Sequence, residues 1–481
     1  MRKVIGNRWV LGLTLLLALV AAGSRLDSGF AEPGPKRHPA LEAFLEAHPA
    51  TPVPAIVQAR GQTPQLAERL RSDGATDVVE LPMIGAVAAT LTPAQVSRLG
   101  TNPDVEWITL DARMVSSDQP GTTEPSKLAT AYPAAAGVPP AWQAGLTGEG
   151  VTVAVIDSGL ATGKDFTGRV AASLDFSSLS DGLADENGHG TYVAGIIGAD
   201  NEKFMGIAPH ARLVSLKVSG RDGSALVSDV VSALQWSVDH RDEFGIRVIN
   251  ISLNSSIPDS YRQDPLSAAV EQAWFHGIVV VTSAGNLGAD PFAVDHAPAN
   301  DPYVITVGAF DDAGTTASSD DSMAPWSSRG RTADGYAKPE LVAPGVHVTA
   351  TLAKKSLIAA EPQSNKVEGH YVTLSGTSAS AAVVSGVVAL MLQDDPTLTP
   401  DRVKYLLTST GGNMAGSGGV RVDAFAAVNS GAQGAANQDA QPNVLIDPHT
   451  GDIVYDSVLW RSVLWHSVLW HSVETNVLWR G

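Results

Sequence analysis

Val151-Thr152-Val153-Ala154-Val155-Ile156-Asp157-Ser158-Gly159 is the stretch on which the reading of this chain turns. Its first six residues are apolar or β-branched with no alternation, so a strand built from them is buried on both faces. Downstream, residues 213–218, 248–252, 278–282 and 304–307 have the same character. Helical periodicity over 228–239 and 265–276, the latter stopped by Gly277, separates them. Buried strands alternating with amphipathic helices predict an α/β fold, a parallel sheet flanked by helices. Functional groups in such sheets gather at the carboxyl ends of the strands, where Asp157 stands.

Upstream the pattern shortens. Residues 53–59, 78–81, 86–91 and 105–110 read as strands. Residues 64–72 read as a helix ended by Gly74, and Thr92-Pro93 opens a second helix through Leu99 with threonine as N-cap. The order β-α-β-β-α-β is that of a small ferredoxin-like α+β unit. Residues 32–51, rich in Pro, Ala and charge, read as a linker, and 116–130 as an exposed connector. At the start, Arg2, Lys3 and Arg8 precede an apolar run over 9–22, with small residues at Ala21, Ala22 and Gly23. That is the pattern of a secretory signal peptide, with a signal anchor as the alternative, and it predicts a secreted, extracellular protein with residues 1–31 as leader.

The chain has 481 residues, 44% of them hydrophobic and 17% charged, enough for a large core in two or three units. Its formal net charge of −18 opposes binding to nucleic acid. The absence of cysteine excludes disulfides, thiol nucleophiles and cysteine-ligated metals. After about Ser430 the composition is again that of a linker, and the chain ends in a repeat, Ser457-Val458-Leu459-Trp460 onward, with tryptophan at 460, 465, 470 and looser at 479. A period of five turns roughly 140° per step on a helix and alternates faces on a strand, so no continuous stripe forms. Residues 431–481 are therefore read as linker and repeat tail, with the tryptophans contacting a surface partner.

Four segments carry chemistry. Asp157 ends a buried strand. His189 lies in Asn187-Gly188-His189-Gly190-Thr191, opening a helix of small residues. Asn286 follows Thr282-Ser283-Ala284-Gly285. Ser378 lies in Ser375-Gly376-Thr377-Ser378-Ala379-Ser380, leading into a helical run over 381–392. A serine hydroxyl is a weak nucleophile and needs a base within hydrogen-bond reach, for which neutral histidine suits near pH 7. A buried carboxylate holds the imidazole tautomer, and a side-chain amide meets the developing oxyanion.

In the order Asp157, His189, Asn286, Ser378, these segments resemble the subtilisin-like serine proteases, or subtilases, over about 139–407. Gly206-Ile207-Ala208-Pro209 and the run 338–345 add to the likeness. The resemblance implies a subtilisin-like catalytic domain over 118–430 and an inhibitory, chaperone-like propeptide over 52–117. It implies a zymogen that cuts itself near 114–118 and hydrolyses extended polypeptides through an acyl-enzyme on Ser378, with no cofactor for catalysis. Partners are then polypeptide substrates and the chain's own propeptide, with no nucleic acid. By the same resemblance Ser252, Leu253 and Asn254 form one substrate-binding edge and 219–221 the other. Leu253, Ala284 and Gly285 line an uncharged primary pocket favouring apolar residues, and Asn254 replaces a usual glycine. His296, where the family places part of the pocket floor, is either a solvent-exposed loop histidine or a side chain that narrows the floor. Structural calcium is implied near Asp165, although the loop 200–205 is shortened. Ala379-Ser380-Ala381-Ala382 departs from the family's Met-Ala-Ala-Pro, which loosens the helix entry. The alternative is a binding or scaffolding protein on a degenerate protease fold, which is expected to lack one of the four groups; all four are present.

Overall fold

The computed structural model describes residues 36–453 except 61–62, 117, 121–130, 181, 361–364 and 448–449. The leader and the tryptophan repeat lie outside the described residues. From Arg37 onward the described chain forms one unit.

The N-terminal part opens with a helix, α1 (Pro39–Ala47), inside the stretch expected to be a linker. His38 is its N-cap, Nδ1 accepting from Ala40 N at 3.1 Å, and Pro39 presets the first turn. Leu41, Phe44 and Leu45 fall on one face and pack on the small unit's core, a helical spacing that the Pro-Ala composition hides. Then come β1 (Val53–Ala59), α2 (Thr63–Ser72), β2 (Thr76–Leu81), β3 (Ala86–Leu91), α3 (Pro93–Gly100) and β4 (Val105–Leu110). The strands pair antiparallel in the order β2-β3-β1-β4, the ferredoxin-like arrangement. Thr92 and Gln95 close a capping box at α3.

Two short strands follow, β5 (Arg113–Ser116) and β6 (Asp118–Pro120), the second of them within the stretch expected to be exposed connector. The larger part then lays down β7 (Thr152–Asp157), β8 (Val170–Asp175), α4 (His189–Gly198), β9 (Arg212–Lys217), β10 (Ala225–Leu226) and α5 (Val227–Asp239). After these come β11 (Ile246–Ile251), β12 (Leu253–Ser255), α6 (Pro265–Phe275), β13 (Val279–Ser283), β14 (Ile305–Asp311), β15 (Leu341–Pro344), β16 (Tyr371–Gly376) and α7 (Thr377–Asp394). The order β15-β14-β13-β11-β7-β9-β8 is parallel throughout.

Burial on both faces is literal in β7. Val153 and Val155 join a core with α4 and α7, while Ala154 and Ile156 join one with α5 and α6. Every residue of α7 from Thr377 to Leu392 is buried. It is long and apolar enough to cross a membrane by composition, but 89% of its apolar window lies inside the protein, as in a soluble core helix. On the other face, Ile56, Met83, Ile84 and Ala88 of the small unit share a core with α5 and α6.

The stretch 431–453 has the composition of a linker yet is pinned across the back of the domain. Asn443 is the anchor: its N–H donates to both carboxylate oxygens of Glu271, and its Nδ2 donates to Tyr261 O at 2.6 Å and Asp264 O at 2.9 Å. Leu445 and Ile446 are buried against α6.

Candidate active site

Parallel register brings the key residues to one edge. Ile156 pairs with Ile251, and Ile251 with Thr282, so Asp157, Ser252 and Ser283 leave the sheet side by side. Helices α4 and α7, which begin with His189 and Thr377, pack against each other beside that edge.

His189 Nδ1 lies 2.7 Å from Asp157 Oδ1, both side chains being buried. A carboxylate only accepts, so Nδ1 carries the proton and Nε2 holds the lone pair, the tautomer a general base requires. Ser158 N also donates to Asp157 Oδ1 at 2.7 Å, holding the carboxylate from the side. Ser378 is the second residue of α7, fully buried, its Oγ 3.5 Å from Ser252 O. Its own N–H belongs to the first turn of the helix, where amides lack intrahelical acceptors.

Asn286 is oriented by Thr377. Its Oδ1 accepts from Thr377 N at 3.2 Å and from Thr377 Oγ at 3.0 Å. The amide nitrogen is thereby turned the other way: Nδ2 is buried and has no partner among the described residues. A buried donor without an acceptor is costly and points to a bound group that supplies one. Thr377 Oγ accepts in turn from Gly285 N at 3.1 Å.

Asp185 carries no mark in the sequence reading, and its only signal there is its place four residues before His189. Its carboxylate collects four donors: Ser158 Oγ at 2.8 Å and Gly188 N at 2.7 Å on Oδ1, Thr191 N at 2.9 Å and Thr191 Oγ at 2.5 Å on Oδ2. Burial raises its pKa, and these donors oppose that shift. Ser158 Oγ accepts from Gly190 N at 2.9 Å, so one network joins the end of β7 to the start of α4. Contact is close enough that a Cβ on Gly190 would lie 2.2 Å from Gly159 O. Lys217, buried at the end of β9, donates to Ala184 O at 2.7 Å and steadies the same loop.

The cleft beside these groups holds a strand of the chain itself. β5 pairs antiparallel with β12 on one side (Leu253 opposite Ser116, Asn254 opposite Val115) and with β10 on the other (Ala225 opposite Met114). The expected second edge, 219–221, is therefore displaced. Gly220 N bonds Ser224 O, Gly223 adopts φ +80°, and Ser219 bridges Ala225, so the chain doubles back and its outer arm, β10, presents the edge. Met114 is fully buried and Val115 half exposed, the alternation of a strand in a cleft. Beyond residue 117, β6 pairs with β16, Asp118 lying opposite Gly376. Just before β5, Asp111 accepts from Ser228 N at 2.9 Å and Ser228 Oγ at 2.5 Å, capping α5 from the small unit; burial raises its pKa to about 6.

The other site expectations have definite outcomes. Ala284 and Gly285 follow β13 as expected, but the surroundings are polar: Asn254, Ser283 and Ser328 stand there. His296 donates from Nδ1 to Ser255 O at 2.8 Å, which ties down the end of β12. At the altered entry to α7, Ser380 Oγ donates to Ala343 O at 3.0 Å.

The calcium expectation does not fit. Asp165 meets protons where a cation needs lone pairs, accepting from Thr351 Oγ at 3.0 Å and Asn201 Nδ2 at 3.3 Å, with Tyr371 Oη at 3.5 Å. Arg169 fills the neighbouring space, donating to the carbonyls of Asp165, Gly198 and Ala211. No group of three or more metal-ligating side chains is found among the described residues.

Comparison with known proteins agrees with this geometry. Residues 148–438 match the family model described as the subtilase family. The chain is 40% identical over 271 residues to the serine protease AprX of Bacillus subtilis (strain 168), covering 54% of this chain and 61% of that protein. It is 31% identical over 431 residues to an alkaline protease of Alkalihalobacillus alcalophilus, covering 88% of this chain and 99% of the relative. Among solved structures, fervidolysin from Fervidobacterium pennivorans, described as a keratinolytic enzyme related to subtilisin, superposes with a TM-score of 0.64 at 25% identity, over 79% of this chain and 61% of that one.

Proposed function

Because the chain belongs to the subtilase family and is a subtilisin-like serine endopeptidase, we propose that Ser378, His189 and Asp157 are its catalytic triad and that Asn286 completes its oxyanion hole. Ser378 Oγ attacks the peptide carbonyl carbon while His189 Nε2 takes the hydroxyl proton. Asp157, accepting from Nδ1–H, holds the ring and stabilises the imidazolium. The tetrahedral oxygen lies between Asn286 Nδ2 and the Ser378 N–H. His189 then protonates the leaving amine, and water hydrolyses the acyl-enzyme by the same route in reverse.

The observation that carries this reading is the strand register through the cleft. Ser116 is opposite Leu253, and Asp118 is opposite Gly376, two residues before Ser378. Residue 117 lies outside the described residues; the residues on either side of it pair with strands that adjoin Ser252 and Ser378. In this reading the chain is a secreted zymogen, residues 52–117 fold with the catalytic domain and occupy its cleft, and self-cleavage falls at Ser117–Asp118. A parallel sheet rich in long-range contacts folds slowly, so an attached template is useful in a chain without disulfides. A phosphonylating serine reagent tests the nucleophile: labelling of processed protein at Ser378 is expected, and none would refute the assignment. A Ser378→Ala chain, made without other proteases, should stay full length; a mature N-terminus at Asp118 in that variant would refute self-processing.

A further inference from the structure

The primary pocket's chemistry is unusual at Asn254. Resting on the endopeptidase reading above, we infer that Asn254 shuts this pocket to long side chains and offers its Oδ1 to a short hydroxyl side chain, so that the enzyme cuts after serine or threonine.

By the family resemblance, Leu253 and Asn254 form one wall of the pocket that takes the side chain before the scissile bond. The segment leading through Ala284 and Gly285 to Asn286 forms the other. Asn254 joins the two walls: its Nδ2 donates to Ser283 O at 3.2 Å and to Ser283 Oγ at 3.1 Å. A glycine there would leave that space open. Ser328 closes the far side, its Oγ 3.1 Å from where a Cβ on Gly285 would stand, with Asn254 Nδ2 at 3.8 Å from the same point. A benzyl or isobutyl group entering between these walls would have to break the Asn254–Ser283 bonds.

The amide's orientation is decided by Ser283. A carbonyl oxygen only accepts, so Nδ2 must face it and Oδ1 faces away. Asn254 is 6% exposed, and its Oδ1 is buried without a partner among the described residues. A desolvated acceptor of this kind favours a ligand that brings a donor and disfavours one that does not. The ligand must be short, because the walls are bridged, and must carry a donor; among short side chains the hydroxyls of serine and threonine supply one. Ser117, preceding the proposed self-cleavage bond, is such a residue.

The test uses processed enzyme obtained from the full chain and Met-Val-Ser-X anilide peptides, with X as Ser, Ala, Leu or Phe. Wild type should show kcat/KM for Ser about tenfold above Ala, the net effect of one hydrogen bond, and at least about tenfold above Leu and Phe. Asn254→Gly should raise kcat/KM for Phe and Leu at least about tenfold and erase the Ser-over-Ala preference. Asn254→Leu, which fills the space without an acceptor, should still exclude Phe but bring the Ser-to-Ala ratio near one. Phosphonylation of Ser378 counts folded sites in each variant. A wild type that prefers Phe or Leu, or a Gly variant with the wild-type order, would overturn the inference while labelled Ser378 left the endopeptidase reading standing. If no peptide were cleaved and Ser378 went unlabelled, the endopeptidase reading itself would fall, and this inference with it.

Discussion

Asp185→Ala should cripple catalysis without touching any reacting group. The substitution removes an acceptor for four donors at 2.5–2.9 Å, on Ser158, Gly188 and Thr191. Each bond to a buried charged acceptor contributes roughly 1.5–3 kcal/mol, but water entering the vacated space re-satisfies some donors, so a net cost of about 3–5 kcal/mol in stability is expected. The catalytic cost follows from position. Gly188 N and Thr191 N flank His189, and Gly188 holds φ +103°, so releasing these amides frees the backbone that sets the imidazole. A ring displaced by about 1 Å costs about 100-fold in rate, so kcat should fall about 10–100-fold while KM moves less than about threefold. Asp185→Asn keeps the volume but turns an N–H toward two of the donors, and should fall between wild type and the alanine variant. The assay is steady-state hydrolysis of a tetrapeptide anilide, with active sites counted by a phosphonylating reagent at a temperature where both proteins are folded. An alanine variant with kcat within twofold of wild type and a lowered unfolding temperature would show that Asp185 serves stability alone. A rise in KM at constant kcat would equally refute the positioning argument.

Replacing Asn286 by alanine should lower kcat about 10²–10³-fold with little change in KM, the loss known for the equivalent donor in subtilisin itself, and near-full kcat would remove Asn286 from the oxyanion hole. Asn443→Ala deletes three side-chain hydrogen bonds, to Tyr261 O, Asp264 O and Leu445 N; it should cost about 2–4 kcal/mol in denaturant unfolding and leave kcat unchanged. Burial raises the Asp301 carboxyl to about 7, and the neighbouring Glu271 is raised as well. Since unfolded aspartate titrates near 3.9, the folded state holds extra protons in between; this contribution is complete below about pH 4 and is lost as pH rises through 7. Unfolding temperature should therefore decline from pH 5 to pH 8, and Asp301→Asn should flatten that slope; an unchanged slope would deny Asp301 the role. Because the surroundings of Asp165 offer donors in place of lone pairs, a calcium chelator should leave the half-life of thermal inactivation within twofold.

Strand cores and chemical groups were legible wherever the signal is local. An unbroken apolar run such as 151–156 must be buried on both faces, and that alone selects a parallel sheet with helices on each side. Asp157, His189, Asn286 and Ser378 announce themselves through residue type, flanking glycines and position at strand or helix ends, properties that a few neighbours determine. Composition misled where a segment's state depends on what lies against it. Residues 39–47 and 431–453 read as linkers, yet Leu41, Leu445 and Ile446 find apolar partners far along the chain and Asn443 finds Glu271. Which arm of the 219–226 turn would present its edge depended on how the turn doubled back, a matter of Gly223 and of a strand from over a hundred residues upstream. The role of Asp185, the polar lining beside Gly285 and the donors around Asp165 are likewise products of contact between segments distant in sequence. Covalent order dictates each residue's own chemistry. Only tertiary packing decides which donor faces which acceptor and where water is excluded, and the worth of a hydrogen bond or a charge depends on both.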